Sequence, residues 1–355
     1  MAIKLTPGIL YFIRDKDFID GDIGKYVKIG IVTKSRTTEE RIKNHQTGNP
    51  RGIYPLDEVL DVPFVERLET QIHYEHNDKW ISGEWFLLTD EEVEAVVKRA
   101  EHLRAQQVLD KPVIEEVLLK IGKKVSNGKV KKANKQALNL EKTIIQLKGE
   151  LNICRAKIVI SKYEFYKLLG ANGSIEGVLK IKYTPSRLSF DEAAFKQAHP
   201  RLYKKFVLPR EDKFNGPFSL SRRSEYSLAN VDKSLNAEKK ALGTPGYRAS
   251  QLGNVQERTK KIEALHLNHL ILFKEQKRLE CEIEILEYKL QKLVGDYDGI
   301  EGICSWKRSY TSQDDKFNAT ALKEAHPKLY ETFVTKLSDE GFAMDVEKFR
   351  PYKPK

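Results

Sequence analysis

The sequence predicts an α+β protein: a small N-terminal α/β domain, then two helix–β-hairpin–helix repeats on long heptad helices. Three observations predict it. Short β-rich runs alternate with short, well-capped helices over the first hundred residues. From Ala137 onward apolar residues recur at heptad spacing, and the same register returns 125 residues later. A hairpin and a short helix containing "HP.LY" follow each heptad run.

In the first domain, "ILYFIR" (Ile9 to Arg14) and "YVKIGIV" (Tyr26 to Val32) read as a β-hairpin joined by a Gly/Asp-rich loop. Thr37 followed by Glu40 is a capping-box pattern, so a short helix starts there, and Gly48 and Pro50 stop it. "DEVLDV" predicts a third strand, and Pro63 suits the first turn of a helix carrying Glu66, Glu69 and His73. "GEWFLL" predicts a last strand, and Thr89 with Glu92 caps a third helix ending near Leu109. Beyond it, "IGKKVSNGKVKKANK" places six lysines among Gly, Ser and Asn. That composition predicts a solvated, flexible linker whose Lys123, Lys124, Lys131 and Lys132 can contact phosphates.

The heptad positions of the first copy run Ala137, Leu140, Ile144, Leu147, Leu151, Cys154, Ile158, Ser161, Phe165 and Leu168. Shifted by 125, the second copy gives Ile262, Leu265, His269, Leu272, Gln276, Leu279, Ile283, Leu286, Leu290 and Leu293. Such runs pack as a coiled coil, either between the copies or across a homo-oligomer. Further on, "IEG" recurs at an offset of 125 and "AHP.LY" at 127, so the second hairpin is two residues longer. Pro200 and Pro327 suit a first helical turn, and Tyr203 and Tyr330 its packed face. Trp306 beside Lys307 and Arg308 offers a stacking face flanked by phosphate contacts, or else a tryptophan packed under its helix. The resulting division is 1–109, small α/β domain; 110–135, basic linker; 136–207, first repeat; 208–258, linker with little core; 259–355, second repeat.

Charge is unevenly spread. Residues 1–100 carry 14 Lys/Arg against 18 Asp/Glu, whereas residues 101–355 carry 48 against 33. A polyanionic partner would therefore be attracted by the C-terminal two thirds. No apolar stretch is long enough to span a bilayer, and the chain runs straight into a strand pattern with no signal peptide. Cys154, Cys281 and Cys304 lie far apart with no CxxC, which points to a reducing cytoplasm and away from disulfides or zinc.

The ordered set "GILYFIR", "VKIG", Arg41, "HQTGNP", "LETQIH" and "GEWFLL" resembles the GIY-YIG nuclease superfamily, nearest its T5orf172 or Mug113-like branch, in which lysine commonly replaces the second tyrosine. The resemblance spans residues 8 to 97. It implies a phosphodiester hydrolase fold acting on double-stranded or branched DNA with Mg²⁺ or Mn²⁺. It places the family's first tyrosine on Tyr11, its YIG segment on Lys28-Ile29-Gly30, its helix arginine on Arg41 and its metal-binding glutamate on Glu69. His73, and Glu84 with Trp85, are typical of this branch. No counterpart can be placed for the asparagine near the end of many members. The two hairpin-helix segments resemble the C-terminal segment of YqaJ-type phage recombinases, a module that accompanies DNA-processing domains.

The chemistry is coherent on its own terms. Phosphodiester hydrolysis needs an activated water, neutralised phosphoryl charge and help for the leaving alkoxide. Glu69 suits a hard divalent cation, Arg41 a phosphate grip, and Tyr11 and Lys28 a place to hold or deprotonate water. Taken singly, each residue has an ordinary role. Tyr11 is then a half-buried strand aromatic, Lys28 a solvent-facing strand lysine, Arg41 and Glu69 exposed helix charges, and His73 an orienting or core histidine. Two classes of function follow: a metal-dependent endonuclease, or a non-catalytic DNA-binding or assembly protein that keeps the fold. RNA as substrate stays open.

Overall fold

The computed structural model describes residues 3–33, 36–47, 51–121, 125–210, 213–243, 246, 251–311, 315–338 and 341–348. Gly48, Asn49, Pro50, Lys123 and Lys124, singled out above, lie outside the described residues.

Strands β1 (Gly8–Lys16) and β2 (Ile23–Thr33) pair antiparallel, with Tyr11 opposite Gly30. Helix α1 (Thr38–Gln46) begins on the capping box: Thr37 Oγ1 accepts from the Glu40 amide and the Glu40 carboxylate accepts from the Thr37 amide, both at 3.2 Å. Strand β3 (Gly52–Val62) follows and is longer than "DEVLDV" alone. Pro55 hides its first half from a pattern reading, yet β3 is an edge strand and Pro55 sits at a register shift against β1, where a missing N–H is tolerated. Helix α2 (Val65–Glu75) starts two residues after Pro63, which therefore precedes its first turn. Strands β4 (Trp80–Ser82) and β5 (Trp85–Leu87) complete a sheet ordered β3-β1-β2-β5-β4. One face packs Leu10, Phe12, Val27 and Ile29 against Leu68 and Ile72 of α2 and Val96, Ala100 and Leu103 of the next helix.

That helix, α3 (Asp90–Ile121), does not stop near Leu109. Pro112 cannot donate to the carbonyl four residues back, but Ile114 and Val117 beyond it are fully buried in the C-terminal core, and this burial carries the helix through. The basic segment after it is docked, not a free linker. Ser126 Oγ accepts from the Arg308 amide at 2.8 Å, Gly128 N–H donates to Asp298 at 2.6 Å, and Lys131 Nζ donates to the Leu293 carbonyl at 3.0 Å.

The two long helices, Lys135–Leu169 and Lys260–Val294, are capped alike by Asn134 and Thr259 and are each followed by a glycine of positive φ, Gly170 and Gly295. They pair antiparallel within the chain: Lys148 meets Glu287 at 2.7 Å, Arg155 meets Glu280 at 3.0 Å, and Ser161 hydrogen-bonds His269 at 2.9 Å. Their seam is a common core of Ile144, Leu147, Leu151, Cys154, Ile158, Leu279, Ile283 and Leu290. Arg155 and Glu280 are equivalent positions of the two copies, so their contact marks a pseudo-two-fold axis.

The copies interlock about that axis. Val255 and Gln256, ahead of the second helix, pair in parallel with Ser174 and Ile175 of the first hairpin, and Lys131 bridges Ile300 in the same sense. Val334 pairs with Phe190 and, equivalently, Val207 with Phe317. The ribbon of Leu179–Thr184 with Gly341–Val346 matches that of Cys304–Trp306 and Ser309–Thr311 with Phe218–Leu220 and Lys213–Asn215. Residues 208–258 thus supply strands and two short helices, Leu228–Val231 and Lys233–Ala241, rather than a coreless linker. The "HP.LY" motif is explained by packing: Phe190 stacks on Tyr330 at 4.9 Å and Tyr203 on Phe317 at 4.8 Å, with Phe195 and Leu322 between. Phe317→Ala should destabilise the protein by about 3–5 kcal/mol in urea titration, because it opens a cavity that both copies line.

The N-terminal domain is tied to the second long helix by side-chain contacts, and Asn77 also donates to the Lys348 carbonyl at 3.2 Å. Arg67 of α2 pairs with Glu284 and donates to the Cys281 carbonyl, Asn77 donates to the Leu270 carbonyl at 2.9 Å, and Lys274 donates to the Glu75 carbonyl at 2.9 Å. Among the described residues no helix is long and apolar enough to cross a membrane, and all three cysteines are free and buried.

Candidate active site

The site is built on β1, β2, α1 and α2. Tyr11 is fully buried, and its ring crosses the backbone of β2 at Gly30. A Cβ at that position would stand 2.5 Å from the Tyr11 hydroxyl, so only glycine lets the phenol lie there. Gly30→Ala should therefore displace the phenol and cut turnover by about 100-fold while circular dichroism stays unchanged.

The Tyr11 hydroxyl hydrogen-bonds His45 Nε2 at 3.1 Å and is also reached by Arg41. Arg41 and His45 are four residues apart on α1, which puts both on the face turned to the sheet. Burial pushes the phenol up to about 12, with Arg41 opposing, so Tyr11 is a neutral hydroxyl at physiological pH. Burial and the nearby Lys28 and Arg41 hold His45 below its ordinary value, so the imidazole is neutral. His45 has no place among the residues singled out from the sequence. Its signal was the spacing from Arg41, inside the quoted "HQTGNP".

Lys28 is 7% exposed and its ammonium pairs with the Glu84 carboxylate. It faces the site and not solvent, and the ion pair makes it a source of positive charge more than a base. Glu69, from α2, has Oε1 buried with no hydrogen-bond partner. Burial, then repulsion by Glu84, raises its carboxyl to about 7, and Lys28 and Arg41 act on it in the opposite sense. Arg41, Glu84 and Glu69 thus act electrostatically on Tyr11, and Glu84, Lys28 and Arg41 on Glu69.

His73 shares the α2 face with Glu69, but its Nε2 donates to the Ile29 carbonyl at 2.9 Å and its ring packs on Phe86 at 5.0 Å. Burial lowers its pKa. It ties α2 to β2, a contact that orients the helix over the strand.

An unpartnered buried carboxylate oxygen is what a hard cation would satisfy, so Glu69 fits Mg²⁺ or Mn²⁺. Among the described residues no group of three or more His, Cys, Asp or Glu side chains could hold a metal ion.

The second predicted nucleic-acid site is corrected. Trp306 and Arg308 are both fully buried. Arg308 stacks 4.5 Å from the Trp306 ring and donates to the Tyr297 carbonyl at 2.8 Å and the Gly295 carbonyl at 3.3 Å. Neither presents a surface to a base or a phosphate. Lys307 and Lys132 are exposed, and Lys131 is half-buried with its ammonium on the Leu293 carbonyl.

The sheet carries α1 with Arg41 and α2 with Glu69 beside the buried Tyr11. Residues 8–101 match the T5orf172 domain, a GIY-YIG-like domain associated with nucleases. No curated protein and no solved structure matches the chain.

Proposed function

We propose that the chain is a GIY-YIG-type, divalent-metal-dependent DNA endonuclease that hydrolyses phosphodiester bonds, with its basic C-terminal body holding the substrate. The observation that carries this reading is the orphaned Glu69 oxygen beside Arg41, Lys28 and a neutral buried Tyr11. Bound at Glu69, Mg²⁺ or Mn²⁺ would neutralise phosphoryl charge and ease departure of the alkoxide.

The chain's own residues do the rest. Arg41 grips a non-bridging oxygen and Lys28 adds further positive charge. Tyr11 accepts the proton of the attacking water as its own hydroxyl proton passes to neutral His45, which later releases it to solvent. The water oxygen bonds to phosphorus, one ester bond breaks, and the leaving oxygen takes a proton from solvent. One water is consumed for each bond cut.

The test is nicking of supercoiled plasmid in Mg²⁺ or Mn²⁺, with Arg41→Ala and Glu69→Ala alongside. Metal-dependent nicking lost in both variants supports hydrolysis at this pocket. Mobility shifts that survive both changes, with no cleavage by any protein, support the non-catalytic DNA-binding alternative.

A further inference from the structure

The two copies of the short helical module serve as each other's control. Helices Glu192–Ala198 and Pro200–Lys205 of the first copy recur 127 residues later as Ala319–Ala325 and Pro327–Glu331. Their backbones agree bond for bond: Asp191 N–H donates to the Phe333 carbonyl and Asn318 N–H to the Phe206 carbonyl, both at 2.7 Å. The packed residues agree too, with Leu202, Tyr203 and Phe206 matched by Leu329, Tyr330 and Phe333 in one aromatic core. Whatever this scaffold needs in order to fold, both copies supply.

Surface charge is where they part. Residues 192–205 carry four Lys/Arg and one Glu, a net of +3, whereas residues 319–332 carry two Lys and two Glu, a net of 0. Lys204 and Lys205 stand where the second copy has Glu331 and Thr332. Lysines in a last helical turn are ordinarily explained by the helix dipole. The second copy forms the equivalent helix without them, so that explanation does not account for the pair. At about 100° per residue, Arg201, Lys204 and Lys205 fall within one arc of the helix, opposite Leu202, Tyr203 and Phe206. All three cations are exposed, and among the described residues none of them forms an ion pair. The one acid of the segment, Glu192, accepts from the Tyr203 hydroxyl at 2.6 Å.

We propose that the cationic face of the first copy, Arg201, Lys204 and Lys205, holds the phosphate backbone of DNA, and that the equivalent face of the second copy does not. Lysine and arginine on a phosphate release its counterions, which favours binding without regard to sequence. The aromatic residues of this helix are turned into the core, so the exposed arc offers charge and no stacking platform for bases. This rests on DNA being the partner, as proposed above, but not on hydrolysis.

The test follows anisotropy of labelled duplexes of two unrelated sequences with the full chain in EDTA, which withholds divalent ions. Lys204→Glu with Lys205→Thr installs what the second copy already carries, and circular dichroism checks that the fold accepts it. This variant should bind both duplexes about 10-fold or more weakly and lower the slope of log affinity against log salt by about 2. Lys323→Glu with Lys328→Thr makes the same change of charge on the second copy and should leave affinity within about 2-fold of wild type. An equal loss in that second variant, or a loss confined to one of the two sequences, overturns the proposal. So does unchanged DNA affinity in the first variant, and loss of binding to phosphatidylserine vesicles in its place would assign the face to a membrane. If the wild type nicks no plasmid while the first variant loses DNA binding, hydrolysis fails and this surface stands. Nicking by the wild type, with DNA binding that ignores Lys204 and Lys205, gives the reverse.

Discussion

Glu69→Gln should cut cleavage by at least about 1000-fold while leaving DNA binding intact. The amide keeps the shape of the side chain but removes the charge that would attract a divalent ion. A second readout does not depend on turnover. Folding raises the Glu69 carboxyl to about 7 from an ordinary value near 4.5, so the folded state binds more protons between those limits. Stability of the metal-free protein therefore falls as pH rises through that window, as it must for an acid whose folded pKa is raised. Glu69→Gln should raise Tm at pH 8 and leave it nearly unchanged at pH 4. Mg²⁺ or Mn²⁺ should raise the wild-type Tm at pH 8, where the carboxylate is ionised, and should not raise that of the variant. Cleavage should likewise climb with pH towards about 7, as Glu69 becomes available to a cation.

Arg41→Ala costs about 100- to 1000-fold in kcat with a smaller change in KM, because its guanidinium meets charge that grows in the transition state. Arg41→Lys does not restore the rate. An ammonium cannot both keep the planar fork on a phosphate and contact the Tyr11 hydroxyl. An Arg41→Lys variant at wild-type speed would show that the residue supplies only diffuse positive charge.

Local chemistry was legible where one segment carried all of its signal. The Thr37–Glu40 box fixed the start of α1, whereas the close approach of the Tyr11 ring to Gly30 was not announced by any local signal. The heptad register of both copies was readable because its period lies within one helix. What joins distant segments was not. Nothing local in "SNGKVKKANK" says that Lys131 will bridge Ile300, or that Val334 will pair with Phe190 of the other copy. Nor does a Trp-Lys-Arg string reveal that Trp306 and Arg308 are buried against each other beneath Tyr297 and Gly295 carbonyls. Pro112 reads as a stop until the apolar residues after it find a core 160 and more residues away, among them Leu290 and Val294.

The pocket itself was legible as a set and not as roles. Arg41 and Glu69 act electrostatically on Tyr11, and Lys28 and Arg41 on Glu69. His73 belongs to its support, and His45 belongs inside it. Roles depend on which atom faces which, and that follows from the crossing of α1 and α2 over the sheet.

The most direct measurement is the conversion of supercoiled plasmid by the wild-type chain with and without Mg²⁺ or Mn²⁺. The account predicts nicked circles only when the ion is present, at a rate that rises from pH 6 to pH 8. Intact plasmid under all of these conditions, from protein shown to be folded and to bind the DNA, would contradict it.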